Sequence, residues 1–182
     1  NGEQVTEVDL RASHLTLLYA LKGEPFDPSK DPYIAGDFPR LVVKLWVAQA
    51  IGSSNPRPLQ WSRKSQNDFS EARPGCWLDE DFPIREVGAA VTGKHPLLVD
   101  LRFLGLSTLD LQYHEAEILR LAMEQLMFAQ GIPVLPIHDA LIVPWTRTAE
   151  AERCLKEAFK GYVEVVIGRP CLVVPNVTLK EA

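Results

Sequence analysis

Two aspartates lie in short apolar segments near opposite ends of the chain, where their types and placement allow metal chemistry. Asp9 stands between Val8 and Leu10, and Asp139 lies inside the run 136–141. Short apolar runs of this kind are typical of strands. If the fold places these strands side by side, the two carboxylates form a site for two hard cations. Such a site suits phosphoryl transfer, because paired cations stabilise both the attacking and the leaving oxygen of an in-line displacement.

Two basic residues lie between the aspartates in the sequence. Arg40 and Lys44 are four residues apart, so on a helix they lie on one face, about one turn from each other. Their cationic side chains are suited to binding phosphate oxygens. Carboxylates for metal ions combined with cations for phosphate predict a nucleoside triphosphate as the substrate.

In the N-terminal half, the sequence predicts one strand and two helices that carry Asp9, Arg40 and Lys44. The segment Val5 to Leu10 has strand character, and Ser13 can cap a following helix that Gly23 ends. A second helix is predicted from Phe38 to Ile51, with both basic residues on its polar side. The segment Ser53 to Gly75 is rich in proline and polar residues, which predicts a mobile excursion without a packed element.

The C-terminal half has the clearest helical pattern, from Glu115 to Gln130. It is followed by two apolar runs, 132–137 and 141–143, which predict a hairpin whose turn carries the second aspartate. The last predicted elements are a helix capped by Thr148 and two strands, at 163–167 and 171–174.

The order of these segments resembles the palm and O-helix of family A DNA polymerases, the bacterial polymerase I type, over most of the chain. Four segments carry the resemblance, and four motifs in the family's order are more specific than any one of them. They are residues 7–21, similar to motif A; Arg40 to Gly52, similar to motif B; Gln112 with the following 116–123, similar to the glutamine-led helix; and Pro136 to Val143, similar to motif C.

The resemblance implies a role for each matched residue. Asp9 and Asp139 would be the catalytic carboxylates and, with the main-chain carbonyl of Leu10, would bind two Mg²⁺ ions, for which Mn²⁺ can substitute. Arg40 and Lys44 would bind the triphosphate of the incoming nucleotide. The remaining two matched residues would contact the primer end, Gln112 in the minor groove and His138 beside the terminus.

One departure from the family concerns the sugar of the nucleotide. Family members usually carry a glutamate five residues after the motif A aspartate, where it presses on the sugar and excludes ribonucleotides. This chain has His14 at that position. The resemblance therefore implies that His14 belongs to the substrate site and that sugar selection is weaker than in the family.

Other departures concern the base and the fingers. The O-helix aromatics of the family are replaced by Ala48 and Gly52, which implies loose base selection unless Trp46 supplies the platform from a neighbouring turn. Ala140 follows the second aspartate, where the family commonly has an acidic residue. Residues 53–100 stand in place of a longer fingers segment and match nothing in the family.

The expected fold class is α+β, with an antiparallel palm-like sheet, helices packed on one of its faces and a small fingers-like helical insertion. The expected division is palm at 1–37, reduced fingers at 38–107 and palm again at 108–182. With 182 residues and 46% hydrophobic content, the chain can bury one sizeable core. It begins eight residues ahead of Asp9, close to where an excised palm would start, so we expect a fragment of a larger replication protein.

Charge and composition bear on partners and compartment. The net charge of −5 is unfavourable for an independent nucleic-acid binder, so much of the grip on primer and template is expected in an upstream part of the same protein. No apolar run approaches the roughly 20 residues of a membrane span, and no membrane partner is expected. Three widely spaced cysteines suggest neither a zinc site nor a disulfide framework, and a reducing cytoplasm is the expected location.

Each site residue also has a simpler interpretation when it is taken alone. An aspartate in a turn or at a strand end commonly caps its own backbone, as Asp139 and Asp9 would. Arg40 and Lys44 could form the solvated face of an amphipathic helix. Two other functions therefore stay open: a catalytically silent palm that docks nucleic acid or a partner, and a two-metal phosphodiesterase. The latter usually needs additional histidine and acidic ligands.

Overall fold

The computed structural model describes residues 2–27, 29–53, 55, 57–103 and 105–181. Within them the chain has an α+β fold, with helices and one four-stranded antiparallel sheet. It divides into two compact units. Unit 1 comprises residues 1–30 and 110–182, and unit 2 comprises residues 31–109. No helix in the described ranges is long and apolar enough to cross a membrane.

The sheet belongs to unit 1, and its strands lie side by side in the order second, third, first and fourth along the chain. Its outer and central strands are all antiparallel to their neighbours. The predicted first strand and the predicted hairpin are both confirmed. The strands are β1, Val5–Leu10; β2, Leu135–Ile137; β3, Ala140–Pro144; and β4, Val177–Glu181.

The helices of unit 1 come before and after those of unit 2 in the sequence. The α-helices are α1, Ser13–Lys22; α2, Arg40–Ser53; α3, Arg63–Ala72; α4, Leu78–Asp81; α5, Ile84–Lys94; α6, Thr108–Glu124; and α7, Thr148–Ile167. A π-helical turn, Gln125–Ala129, extends α6. The 3₁₀ segments are Pro96–Phe103 and Trp145–Arg147.

The core of unit 1 lies between the sheet and α7. Successive side chains of β1 point to opposite faces of the sheet, so Val8 and Leu10 are buried while Asp9 is directed away from them. On α7, Phe159 and Val163 are spaced by four and are fully buried. This helix contacts β1, β3 and α1. Burial of the apolar face of β1 therefore determines which face carries Asp9.

The predicted strand at 163–167 is wrong, because these residues form the last turns of α7. Val163 continues the buried stripe of Phe159 at helical spacing, whereas Val165 is 82% exposed. β-Branched residues favour strands only where packing supports it, and here the helical stripe extends the helix. The predicted strand at 171–174 is also wrong, since the strand that pairs with β1 begins later, at Val177.

The predicted mobile excursion in 53–75 is wrong for residues 63–72, which form α3, and residues 54 and 56 lie outside the described residues. Ser62 caps α3, where its hydroxyl accepts from the backbone N–H of Ser65 at 3.1 Å. Phe69 is only 3% exposed, and the indole of Trp61 donates to the carbonyl of Phe82 at 2.9 Å. Two aromatic anchors thus pack a segment whose polar composition resembles that of a loop.

Helix ends differ from prediction in small ways. The residue before α1 is Ala12, in the left-handed conformation with φ of 50° and with no side-chain cap, so Ser13 does not cap the helix. Gly23 ends α1 in the left-handed conformation, as predicted. Thr148 is the first residue of α7, and its hydroxyl donates to the carbonyl of Trp145. The helix predicted from residue 115 begins earlier, at Thr108.

In unit 2, α2 and α5 pack through a glycine contact. A Cβ atom at Gly88 would lie 3.0 Å from the indole of Trp46, which is closer than ordinary van der Waals contact. Trp46 is 1% exposed. Glycine at this position therefore lets α5 approach the tryptophan closely, and the indole is held inside unit 2.

Candidate active site

The sheet brings the two predicted carboxylates together in unit 1. Asp9 on β1 is the register partner of Ala140 on β3, and Asp139 is the residue immediately before Ala140. Because Ile137 pairs with Ala140 across the hairpin, Asp139 is in the two-residue turn between β2 and β3. The prediction that the two segments form adjacent antiparallel strands is confirmed.

The carboxyl group of Asp9 is in an unfavourable environment for its charge. Its side chain is 20% exposed, and its buried Oδ1 atom has no hydrogen-bond partner within the described part of the chain. Burial, and then the charge of Asp139, raise the pKa of Asp9 to about 6, although the ammonium of Lys180 partly opposes this. A bound cation would relieve both the missing partner and the repulsion between the carboxylates.

The donor set of this site fits a hard divalent cation. It offers carboxylate oxygens from Asp9 and Asp139, and oxygen ligands suit Mg²⁺ and Mn²⁺. Within the described ranges, no group of three or more histidine, cysteine, aspartate or glutamate side chains is arranged as metal ligands. Mg²⁺ commonly binds through one or two carboxylates and completes its shell with water and substrate phosphate, so two carboxylates are sufficient for that class of ion.

Lys180 is a charged neighbour that the sequence analysis missed. It lies on β4 as the register partner of Glu7, and its Nζ atom lies 2.5 Å from Glu7 Oε1 and 3.7 Å from Asp9 Oδ2. No motif marks this residue, because its position depends on the pairing of β4 with β1. The ammonium partly neutralises Asp9 in the absence of any other cation.

A cavity of about 430 Å³ in unit 1 is lined by four of the predicted site residues. They are His14, Gln112, His138 and Asp139, and Glu115 lines the cavity with them. Its volume lies within the range of small-molecule sites, roughly 300–1,000 Å³. The cavity therefore has the volume of a small-molecule site, and several polar side chains line it.

Three elements supply the cavity's polar side chains. His14 is in the first turn of α1, two residues after the left-handed Ala12 that turns the chain away from β1. Gln112 and Glu115 are three residues apart on α6 and so lie on one face. His138 begins the β2–β3 turn with a φ of 50°, a left-handed conformation that is uncommon outside glycine.

Glu115 is a cavity-lining residue that the sequence analysis did not identify. It is 7% exposed, its Oε1 atom has no partner among the described residues, and its Oε2 atom lies 3.7 Å from Nε2 of His14. A signal for it existed in the sequence. The buried stripe of α6 runs through Leu111, Ile118 and Ala122 at helical spacing, and Glu115 is the one acidic residue within that stripe.

The predicted phosphate-binding residues lie on α2 in unit 2, and both are exposed. The Nε atom of Arg40 donates to Oδ2 of Asp31 at 2.6 Å, and its guanidinium lies 5.1 Å from the ring centroid of Tyr33. Lys44 forms no ion pair with any residue that the structure describes. The polar face predicted for this helix is confirmed, and the binding of triphosphate to it stays a prediction.

Ala48 and Gly52, which replace the aromatic residues of the family, also lie on α2 in unit 2. Trp46 is buried against Gly88, so it does not offer an exposed platform for a base, and the expectation that it replaces the missing aromatics is wrong. Unit 2 has a cavity of about 450 Å³ beside this indole, with Arg57 and Arg85 among its lining residues. None of the described lining residues is acidic, so this cavity lacks carboxylate ligands for a metal ion.

The raised pKa of Asp9 predicts how stability depends on pH in the absence of divalent cations. Between about pH 4 and 6 the folded protein binds a proton at Asp9 more tightly than the unfolded chain does. The free energy of unfolding should therefore fall as pH rises through this window. After allowance for solvent screening of this partly exposed group, we expect a fall of about 1–2 kcal/mol. Urea denaturation at several pH values measures it.

The matched variant for this prediction is Asp9→Asn, which keeps the shape of the side chain and removes its titration. Its free energy of unfolding should change less than that of the wild type between pH 4 and 6. At neutral pH, millimolar Mg²⁺ should raise the melting temperature of the wild type but not that of the variant. Parallel pH profiles for the two proteins would show that the pKa of Asp9 is not raised in the folded protein.

Comparison with known proteins identifies no relative of this chain among family models or curated sequences. The resemblance to family A polymerases therefore depends on the four motifs and their order. The adjacency of Asp9 and Asp139 and the cavity beside Asp139 are observations independent of that resemblance.

Proposed function

We propose that this chain is the catalytic palm fragment of a larger replication protein and performs template-directed nucleotidyl transfer, as family A DNA polymerases do. One observation carries the proposal. Asp9 and Asp139, identified from motifs at opposite ends of the chain, are adjacent at one end of the sheet. The cavity that Asp139 lines is also lined by His14, Gln112 and His138, which were singled out from the same motifs. Residues taken at random from the surface would not be expected to line one cavity.

In this proposal Asp9, Asp139 and the main-chain carbonyl of Leu10 would hold two Mg²⁺ ions, and Mn²⁺ could replace them. When bound, the ions supply a lowered pKa for the primer 3′-hydroxyl and charge stabilisation for the triphosphate. The unpartnered Oδ1 atom of Asp9 and the raised pKa of this group support the assignment. Removing either carboxylate would leave the site with insufficient negative charge for two divalent ions.

The reaction forms a bond from the primer 3′-oxygen to the α-phosphorus and breaks the bond from that phosphorus to the bridging oxygen. Pyrophosphate leaves, and the hydroxyl proton passes to solvent. Arg40 and Lys44 are assigned to the negative charge on the triphosphate and the leaving pyrophosphate. Gln112 and His138 are assigned to the primer end, where the amide donates into the minor groove and the imidazole lies beside the terminus.

The proposed partners are a primer–template, nucleoside triphosphates and an upstream part of the same protein. The net charge of −5 supports the last of these, because phosphate binding depends on lysine and arginine that this chain has in modest number. The proposed location is the cytoplasm.

A catalytically silent palm that docks nucleic acid or a partner is the second candidate. One observation favours it: the ammonium of Lys180 lies 3.7 Å from Asp9 Oδ2 and supplies positive charge where a catalytic cation is expected. A two-metal phosphodiesterase is less well supported, because the described residues contain no cluster of three metal-binding side chains. The enzyme and docking proposals differ in whether nucleotides are incorporated.

Primer extension by the full-length protein tests the proposed function directly. Reactions are run with and without Mg²⁺, and with dNTPs or NTPs. Metal-dependent extension supports the polymerase proposal. Primer–template binding that persists without any extension, in Mg²⁺ and in Mn²⁺, would favour the docking module instead.

Replacing His14 by alanine should change sugar selection more than it changes the overall rate. The imidazole lines the cavity on α1, where a ring can stack on the sugar or donate a hydrogen bond to a hydroxyl. Loss of such a gate typically changes discrimination by about 10–200-fold. The measurement is the ratio of kcat/KM for dNTP and NTP. An unchanged ratio in an active variant would mean that His14 is a packing residue.

A further inference from the structure

The burial of the Glu115 carboxylate is unfavourable for the stability of the fold. Its side chain is about nine-tenths buried on α6, between Leu111 and Ile118 in the apolar stripe. Its Oε1 atom has no partner within the described residues. A buried carboxylate with an unsatisfied oxygen destabilises a fold, so an apolar residue at this position would make α6 more stable.

The neighbours of Glu115 indicate what its carboxylate does. Oε2 lies 3.7 Å from Nε2 of His14, which is ion-pair distance. His14 is more exposed than Glu115, with 30% of its side chain accessible against 10%. Both residues line the same cavity as Asp139. The carboxylate is thus the buried member of the pair, and the imidazole is the member available to a ligand.

A carboxylate behind one ring nitrogen restricts what the other can do. With Nε2 directed to Glu115, Nδ1 is the polar ring atom left for a ligand in the cavity. The 3.7 Å contact is longer than a hydrogen bond and restrains the ring by electrostatic attraction, and a restrained ring loses less rotational freedom when a ligand binds. Without Glu115, the His14 side chain could rotate about its two side-chain torsions.

We infer that Glu115 is a positioning residue that holds the imidazole of His14 in the cavity beside Asp139, so that the pair together selects the sugar of the incoming nucleotide. This inference rests on the proposed function and deepens it. Glu115 does not touch the substrate. Its effect passes through His14, and the selection that the family assigns to a single glutamate is divided here between two helices, α1 and α6.

The first test follows the His14 ring itself and does not require activity. The full chain is labelled with ¹⁵N- and ¹³C-histidine, which gives signals from its four histidines, and His14 is assigned by loss of its signals in His14→Ala. Glu115→Gln should shift the His14 ring resonances. The matched control is Glu117→Gln on the same helix, because Glu117 pairs with Arg120. Unshifted His14 resonances in Glu115→Gln overturn the inference.

The second test measures selection with the full-length protein. Glu115→Gln should change the ratio of kcat/KM for dNTP and NTP by about tenfold. The double variant His14→Ala with Glu115→Gln should have the ratio of His14→Ala alone, because the two residues act as one unit. Glu117→Gln should have the wild-type ratio.

The outcomes separate this inference from the function on which it rests. An active enzyme whose ratio is unchanged in Glu115→Gln overturns the role of Glu115 and leaves the polymerase proposal in place. A full-length protein that incorporates no nucleotide overturns the polymerase proposal and the selection role with it. A purely structural Glu115 would lower kcat for both sugars equally in Glu115→Ala and leave their ratio unchanged, which also overturns the inference.

Discussion

Asp139→Ala is expected to abolish incorporation of both dNTPs and NTPs by the full-length protein. Paired metal ions supply several kcal/mol of transition-state stabilisation, and each 1.36 kcal/mol corresponds to a factor of ten in rate. Loss of one of two carboxylates should therefore reduce kcat/KM by at least about 10³-fold. Single-nucleotide primer extension in Mg²⁺ measures this loss.

The fold should tolerate this change, which makes the result interpretable. Asp139 is exposed in the turn between β2 and β3, and its charge raises the pKa of Asp9, so its removal relieves repulsion. We expect a melting temperature equal to or above that of the wild type. Glu152→Ala on α7 is the matched control, because that glutamate pairs with Lys156. More than a tenth of wild-type activity in Asp139→Ala would exclude the two-carboxylate mechanism.

Lys44→Ala is expected to reduce kcat/KM for nucleoside triphosphates by about 10²–10³-fold. Removal of one preorganised group that stabilises transition-state charge typically has an effect of that size. Lys44 is the cleaner of the two basic residues to test, since it has no ion pair among the described residues while Arg40 pairs with Asp31. Steady-state kinetics separate an effect on kcat from one on KM.

Lys64→Ala is the matched control for Lys44. Lys64 is an exposed lysine in the same unit, and it pairs with Asp68 on α3. This variant should keep kcat/KM within about twofold, as expected for a surface residue away from a site. If Lys44→Ala behaves in the same way in an active enzyme, the residue belongs to a solvated helix face and the triphosphate is bound elsewhere.

Local sequence patterns predicted the hairpin and the first strand correctly. The apolar alternation around Val8 places one face of β1 in the core, and that requirement by itself directs Asp9 to the other face. Gly23 was correctly predicted to end α1, because it takes a left-handed conformation that other residues adopt at a cost. These elements follow from short-range chemistry, which a sequence displays directly.

Patterns failed where distant packing outweighed local preference. The run 163–167 contains four β-branched residues, yet it stays helical because Val163 extends the buried stripe of α7. Trp61 and Phe69 pack a segment whose polar residues suggested a loop. In each case a few buried contacts, made with residues far away in sequence, determined the conformation.

The amino-acid sequence alone identifies the residue types available for chemistry: Asp9 and Asp139 for cations, Arg40 and Lys44 for phosphate, and His14 in place of a glutamate. The environments of these side chains depend on the packing of the folded chain. Strand pairing brought Lys180 to Asp9, and the packing of α6 buried Glu115 beside His14. The physical reason is that pKa values, unsatisfied oxygens and ion pairs depend on distance and burial in space. A linear pattern specifies neither for residues far apart in the chain.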